Sequence, residues 1–312
     1  MEATNFIYTS DDATPLYGYQ WAPGIAPRAM IHIVHGLAEY GARYDRTARL
    51  LAERGYLVFA HDHRGHGLTA AAPERCGMFA ERDGWNRAVK DICLLVDSER
   101  KENPALPMIV LGHSMGSFMA QQMMYERPEL LDACVLSGCN GKPDFRVTLL
   151  RAAARFERVR IGGQGRSTFL HRLSLNFANK AFQPARTKFD WLTRDTAEVD
   201  NFEGDPFCGW VGSSQLWLDL IYGTLEVARP ANQKRIPADL PVYIFGGLND
   251  PVSDCCRGVR HLIDAYRRAG LTEISHKFYP GGRHEMLNEI NRDEVIEDLL
   301  FWLDAVSRKK RT

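Results

Sequence analysis

Short runs of apolar residues without polar alternation recur along the chain. They occupy residues 29–34, 57–60, 108–111 and 133–137, and the alternation of strands with helices resumes with strands at 242–245 and 276–279. Runs of this length are typical of parallel strands that are buried on both faces. We therefore interpret them as the strands of one central sheet.

Helical patterns lie between these runs. They cover residues 44–54, 85–103, 117–125, 255–269 and 292–306. Gly55 and Gly270 follow two of them and Pro104 follows a third, as expected where helices end. Strands that alternate with helices predict an α/β protein, with a mostly parallel sheet flanked by helices.

Residues 141–237 interrupt this alternation. They lack clean strand patterns and hold eight of the 15 Phe and three of the 6 Trp residues. This composition predicts a mainly helical cap inserted into an α/β core formed by residues 1–140 and 238–312. The aromatic side chains are expected to line the underside of the cap, to form its own small core, or to do both.

Charge and composition bear on the partners and the location of the protein. The 39 basic and 39 acidic residues give a net charge of zero, so no long-range field favours nucleic acid. No apolar run approaches the roughly 20 residues of a membrane span, and the first residues do not resemble a secretory signal. We expect a cytoplasmic protein with reduced cysteines. A redox pair at Cys255 and Cys256 is the less favoured alternative.

The most informative motif is Gly-His-Ser-Met-Gly at residues 112–116. A predicted strand precedes it and a predicted helix follows, so Ser114 lies on a sharp strand-to-helix turn. Gly112 and Gly116 leave room for the strained backbone of such a turn, and the first amides of the helix favour negative charge there. Ser114 is therefore predicted to be a covalent nucleophile.

A serine hydroxyl needs a histidine that accepts its proton. In proteins with this motif the histidine follows the last strand of the sheet. His284 lies on a glycine-rich loop after residues 276–279, whereas His261 and His276 fall within a predicted helix and a predicted strand. His284 is therefore the predicted general base.

The histidine in turn needs a carboxylate that orients it. Asp250 directly follows the strand at 242–245 and is the predicted partner of His284. Asp254 is the alternative, but its position suits a carboxylate that caps the next helix.

The tetrahedral intermediate requires two backbone N–H donors. One is the residue after the nucleophile, Met115, and the other is expected from a loop after an earlier strand. Leu37 is the predicted second donor, because His35-Gly36-Leu37 follows the strand at 29–34 and Gly36 permits a close approach. An ordinary turn at the strand end is the alternative.

Two longer motifs connect these residues to a known family. Residues 35–44 read HGLAEYGARY, similar to HGxGEHxxRY, and residues 62–67 read DHRGHG, similar to DHxGHG. With the serine motif, they resemble the monoacylglycerol lipase and lysophospholipase branch of the α/β-hydrolases, within the serine aminopeptidase S33-like superfamily. The sequence departs from the family pattern at Ala38, Tyr40 and Thr69.

The resemblance implies the α/β-hydrolase fold, a lid formed by the insertion and a set of site residues. These are Ser114, Asp250 and His284 as the triad, Leu37 and Met115 as oxyanion donors, and His35, Gly36, Gly112 and Gly116 as supporting residues.

We therefore expect a serine carboxylic-ester hydrolase without cofactor or metal, acting on lipid-like esters of the monoacylglycerol or lysophospholipid type. A thioesterase, an aminopeptidase and a non-catalytic small-ligand binder remain alternatives. A peptidase would need a carboxylate for the substrate amino group, for which Glu203 and Asp205 are candidates.

Two charged clusters have simpler explanations than ligand binding. His61, Asp62, His63 and His66 are better explained as a polar network that braces the neighbouring loops than as metal ligands. The basic residues 308–311 suit solvent and the dipole of the last helix better than anionic lipid, although peripheral membrane contact stays open.

Overall fold

The computed structural model describes residues 2–141, 143 and 145–309. Part of the basic tail, residues 310 and 311, therefore lies outside the described residues. Within them, eight strands form one sheet in the order β1-β2-β4-β3-β5-β6-β7-β8. The strands are β1 (Thr4–Thr9), β2 (Pro15–Trp21), β3 (Ala29–Val34), β4 (Tyr56–His61), β5 (Met108–His113), β6 (Ala133–Ser137), β7 (Val242–Gly247) and β8 (Ile274–Tyr279).

Helices lie on both faces of this sheet and in the segment between β6 and β7. They are α1 (Asp45–Glu53), α2 (Gly84–Glu102), α3 (Met115–Glu126), α4 (Phe145–Ile161), α5 (Thr168–Ala178), α6 (Thr196–Gly204), α7 (Ser214–Val227), α8 (Pro230–Gln233), α9 (Arg257–Ala269) and α10 (Arg292–Lys309). Helices α1 and α10 pack on one face, and α2, α3 and α9 pack on the other. None of the helices in the described residues combines the length and the apolar character that crossing a membrane requires.

The six strands predicted from the sequence, β3 to β8, are all present and run parallel to one another, whereas β4 also pairs antiparallel with β2 on its other side. Every residue of β3 to β7 is buried, which explains their continuous apolar sequences. The first two strands, β1 and β2, were not foreseen. They form the antiparallel edge of the sheet, and β1 is largely exposed, so it needs no apolar run.

The inserted segment, residues 141–237, leaves the sheet after β6 and returns at β7. It contains α4 to α8 and no strand of the sheet among its described residues. Its last long helix, α7, packs on α2 so closely that a Cβ on Gly223 would lie 2.0 Å from the Trp85 ring. Leu216 and Val227 of α7 join the same hydrophobic cluster as the sheet. The division into core and cap stays a prediction.

Candidate active site

Ser114 occupies the turn between β5 and α3. Its backbone has φ 50° and ψ −118°, a conformation that non-glycine residues rarely adopt. The turn is held by the Ser114 N–H, which donates to the Ser137 carbonyl at 2.9 Å, and by the Ser117 hydroxyl, which donates to the Ser114 carbonyl at 2.6 Å. This strained backbone places a half-buried hydroxyl at the carboxyl edge of the sheet.

Two glycines allow this turn to pack against its neighbours. A Cβ on Gly116 would lie 2.1 Å from the Val34 carbonyl oxygen and 2.5 Å from that of His35. A Cβ on Gly112 would lie 2.5 Å from the Gly116 carbonyl oxygen. All three distances are far below van der Waals contact, so any side chain at either position would push α3 away from the sheet.

Asp250 and His284 form a buried pair at the same edge of the sheet. Nδ1 of His284 donates to Oδ1 of Asp250 at 3.0 Å. The Val252 N–H donates to the same oxygen at 2.9 Å. Because the carboxylate occupies Nδ1, it leaves Nε2 of His284 as the proton acceptor.

Each member of this pair favours the charged form of the other. Burial alone would lower the pKa of His284, but the Asp250 carboxylate and its hydrogen bond outweigh burial and hold that pKa above its usual value. Burial alone would raise the pKa of Asp250, but the charge of His284 and its hydrogen bond lower that pKa below its usual value. Asp250 therefore stays ionised and favours the imidazolium form of His284.

The alternative candidates for the carboxylate and the histidine lie outside this buried pair. Asp254 is exposed and pairs with Arg257 at 2.6 Å. Its expected capping role is wrong, because α9 begins at Arg257 and its N-cap residue is Cys256, without a side-chain cap. His261 and His276 are both exposed.

The loop after β3, residues 35–40 and called here the HG loop, faces Ser114. Nδ1 of His35 donates to the Gly36 carbonyl at 2.8 Å, and the Gly36 N–H donates to Oε1 of Glu39 at 2.6 Å. A trans peptide directs its N–H away from its C=O, so fixing the Gly36 carbonyl also fixes the direction of the Leu37 N–H. Leu37 and Met115 both line the cavity at Ser114.

That cavity has a volume of about 280 Å³ and includes Ser114 and His284 in its wall. Most of the wall is apolar and comes from α3 and the inserted segment. Its larger side chains include Phe118, Leu150, Phe189, Trp191, Trp217 and Leu220. Phe189 and Trp191 also belong to a hydrophobic cluster within the inserted segment. These two aromatic side chains therefore both line the cavity and form part of the segment's own small core.

One part of the cavity wall is polar, and the sequence did not assign it a role. Arg43 lies between two buried carboxylates, at 2.9 Å from Glu285 and in contact with Glu39. The Tyr44 hydroxyl donates to Glu39 at 2.9 Å. Burial would raise the pKa of Glu285, but the Arg43 guanidinium lowers it to about 2. The sequence signals were the motif at residues 35–44, which contains Glu39, Arg43 and Tyr44, and the position of Glu285 beside His284.

The carboxylates considered for a peptidase do not line this cavity. Asp205 accepts from the Tyr40 hydroxyl at 2.7 Å, and Glu203 is exposed on the outer surface. Glu39 and Glu285 do line the cavity, but both pair with Arg43. Neither offers an unpaired carboxylate for a substrate amino group.

The histidine cluster after β4 forms hydrogen bonds within the protein. The His63 N–H donates to Nε2 of His35 at 3.0 Å, and the ring of His63 lies 2.9 Å from that of His61. Asp62 accepts from the amides of Gly41 and Leu68. No group of three or more metal-ligating side chains in the described part of the chain has the arrangement of a metal site.

Comparisons with known proteins bear on both fold and family. The model of the Hydrolase_4 family, described as serine aminopeptidase, S33, matches residues 25–291. A monoacylglycerol lipase of Mycolicibacterium smegmatis is 26% identical over 285 residues, which cover 91% of this chain and 90% of that protein. A monoglyceride lipase of Mus musculus is 27% identical over 297 residues, covering 94% of this chain and 88% of the mouse protein.

Solved structures show the same fold. A thermostable carboxyl esterase from Bacillus coagulans, solved in complex with glycerol, superposes with a TM-score of 0.90 at 23% identity. The superposition covers 98% of this chain and 99% of the esterase. The predicted fold class is therefore confirmed.

Proposed function

The chain belongs to the Hydrolase_4 family, described as serine aminopeptidase, S33, and from this membership we propose that it hydrolyses small lipid-like esters of the monoacylglycerol type. One observation carries the proposal. A serine on a strained turn and a buried Asp–His pair both border a single, mostly apolar cavity.

In the proposed reaction, Ser114 attacks the ester carbonyl while Nε2 of His284 takes the hydroxyl proton. The Leu37 and Met115 amides bind the oxyanion. His284 then protonates the departing alcohol, and a water molecule, activated by the same histidine, hydrolyses the acyl-enzyme. Asp250 holds the His284 tautomer and stabilises its imidazolium form.

The substrate class follows from the two parts of the cavity wall. The apolar part suits an acyl chain, because removing it from water contributes about 0.8 kcal/mol for each buried CH₂ group. The polar part, with Glu39 and Glu285, suits a hydroxyl-bearing leaving group. The two relatives named as monoacylglycerol lipases, matched over most of their length, support glycerol esters ahead of lysophospholipids.

The location of the protein is a separate part of the proposal. All seven cysteines carry free thiols, and a chain rich in unpaired cysteines suits the reducing cytoplasm. The outer face of α4 exposes Leu149, Phe156 and Val159, at 60%, 65% and 88%, beside the exposed Arg155 and Arg158. This face supports peripheral contact with a lipid surface.

A fluorophosphonate probe and a panel of substrates test the proposal. We expect covalent labelling of the wild-type protein and none of Ser114→Ala, with Ser275→Ala, a change of an exposed serine on β8, as a labelled control. Among a monoacylglycerol, a lysophospholipid, an acyl thioester and an aminoacyl amide, the monoacylglycerol should give the highest kcat/KM. Retained turnover in Ser114→Ala contradicts the proposed nucleophile, and preference for the amide contradicts the substrate class.

A further inference from the structure

Four buried side chains form a continuous chain from α2 to the histidine cluster. They are Glu99 on α2, His32 on β3, His61 at the end of β4 and His63 just after it, and none is more than 5% exposed. Nδ1 of His32 lies 2.8 and 2.9 Å from the two carboxylate oxygens of Glu99. Nε2 of His32 lies 2.9 Å from Nδ1 of His61, and Nε2 of His61 lies 2.9 Å from Nδ1 of His63.

The far end of the chain determines where the protons lie. Nε2 of His63 is 3.2 Å from the carbonyl oxygen of His35, which accepts hydrogen bonds but has no proton to donate. The proton of His63 is therefore on Nε2, and its Nδ1 is an acceptor. Burial lowers the pKa values of His61 and His63 well below the usual value, so both rings are neutral.

The same reasoning determines the tautomer of His61 and then that of His32. His61 donates from Nε2 to His63 and so accepts at Nδ1 from the Nε2–H of His32. Nδ1 of His32 then faces the Glu99 carboxyl group, and the two groups share one proton. The reverse order would direct the lone pair of His63 at the His35 carbonyl oxygen, a repulsive contact.

The chain ends where the HG loop begins. His63 contacts His35 twice, because its ring donates to the His35 carbonyl and its backbone N–H donates to Nε2 of the His35 ring. That ring in turn holds the Gly36 carbonyl at 2.8 Å. The Gly36–Leu37 peptide, whose N–H points at the cavity in the proposed reaction, is thus the last group in a continuous set of hydrogen bonds.

We propose that Glu99 and His32 are positioning residues for ester hydrolysis, which hold the Leu37 amide in place through the ordered tautomers of His61 and His63. This inference rests on the proposed function. Neither residue contacts the cavity. Their role is to keep a peptide fixed that must bind the oxyanion without reorganising.

Nuclear magnetic resonance of the ¹⁵N-histidine-labelled protein shows which ring nitrogen of each histidine carries the proton, here called the proton order, and needs no substrate. We expect the Nε2–H tautomer for His61 and His63 and the Nδ1–H tautomer for His35. An Nδ1–H form of His61 or His63, or exchange between the two forms, overturns the inference. A wild-type protein without ester turnover would instead overturn the proposed function, while the proton order would still be read from these spectra.

Kinetics of three variants test the positioning role. In Glu99→Gln the amide still donates to Nδ1 of His32, so we expect kcat within about twofold of wild type. In Glu99→Leu the partner is lost, and kcat should fall about tenfold with little change in KM, less than the 100- to 1,000-fold expected for losing an oxyanion donor. Glu102→Leu, an exposed change on the same helix, is the matched control and should behave as wild type.

The double variant His32→Phe/Glu99→Leu separates positioning from folding. Replacing both members of the Glu99–His32 pair leaves no unpaired buried charge, so this protein should still fold, with an unfolding temperature lowered by the unsatisfied Nδ1 of His61. Because His61 loses the Nε2–H of His32 as its donor, we expect the same drop of about tenfold in kcat as in Glu99→Leu and changed nuclear magnetic resonance signals of His61. A folded double variant with wild-type kcat contradicts the positioning role.

Discussion

The hydroxyl of Tyr40 donates to Asp205 at 2.7 Å and thereby joins the HG loop to the inserted segment. A second link lies beside it, where the Gly209 N–H donates to the Ala38 carbonyl at 2.9 Å. Ala38 itself has a φ of 57°, so the loop is strained at the residue that forms this contact. The loop that contains the Leu37 amide is therefore held from both the sheet and the insertion.

Removing the Tyr40 hydroxyl should weaken this connection. In Tyr40→Phe one hydrogen bond to a carboxylate is lost while the Ala38–Gly209 link remains. We expect kcat/KM for a monoacylglycerol to fall about fivefold, which corresponds to about 1 kcal/mol. Tyr222→Phe, an exposed tyrosine of α7, is the control and should retain full activity. Equal values for the two variants would contradict a role for the Tyr40–Asp205 bond.

The pH dependence of hydrolysis follows from His284. Only the neutral imidazole accepts the Ser114 proton, and the Asp250 carboxylate raises the pKa of His284 above its usual value of about 6.5. The wild-type rate should therefore fall on the acidic side with a midpoint above 6.5, measured as kcat/KM against pH.

Asp250→Asn removes the charge that raises this pKa. Its acidic midpoint should move to lower pH, and kcat should fall by roughly 10⁴-fold because the His284 tautomer is no longer held. Asp254→Asn changes an exposed aspartate of the same loop and should leave both quantities unchanged. An acidic midpoint that does not move in Asp250→Asn contradicts the assigned pair.

Chain-length preference should respond to Leu150, which lines the cavity from α4. In Leu150→Trp the larger ring occupies space that the acyl chain needs, so the preferred ester should become shorter. The neighbouring Leu149 is 60% exposed on the outer face of the same helix, and Leu149→Trp is the matched control. Rates across esters of increasing chain length measure the shift, and an identical profile for both variants would place the acyl chain elsewhere.

Gly116 should tolerate no side chain. Gly116→Ala places a Cβ against two backbone oxygens, which cannot move as a flexible side chain does, so we expect a loss of at least about 1–3 kcal/mol in unfolding free energy. Gly24→Ala meets no atom within 4 Å and serves as the control. Denaturant unfolding measures both, and equal stability of the two variants would show that α3 does not pack so closely on the sheet.

The sequence predicted most of the fold because the central strands are buried on both faces and must therefore be apolar throughout. The exposed edge strand β1 lacks that requirement, and it was missed. The α/β-hydrolase resemblance and the serine hydrolase class are confirmed by the matched family. The roles of Ser114, Asp250, His284, Leu37 and Met115 stay predictions that the variants above test.

Ser114, Asp250 and His284 were predicted from the serine motif and from the chain order Ser, Asp, His, and each follows a strand because parallel strands bring their carboxyl ends to one edge of the sheet. This rule of motif and order needed no tertiary structure. It gave no information on Arg43 and Glu285, which lie 242 positions apart, or on Glu99 and His32, which lie 67 apart. Such pairs depend on which helix packs against which strand and at what register, so only the tertiary structure revealed them, together with the cavity shape that the inserted segment forms above Ser114.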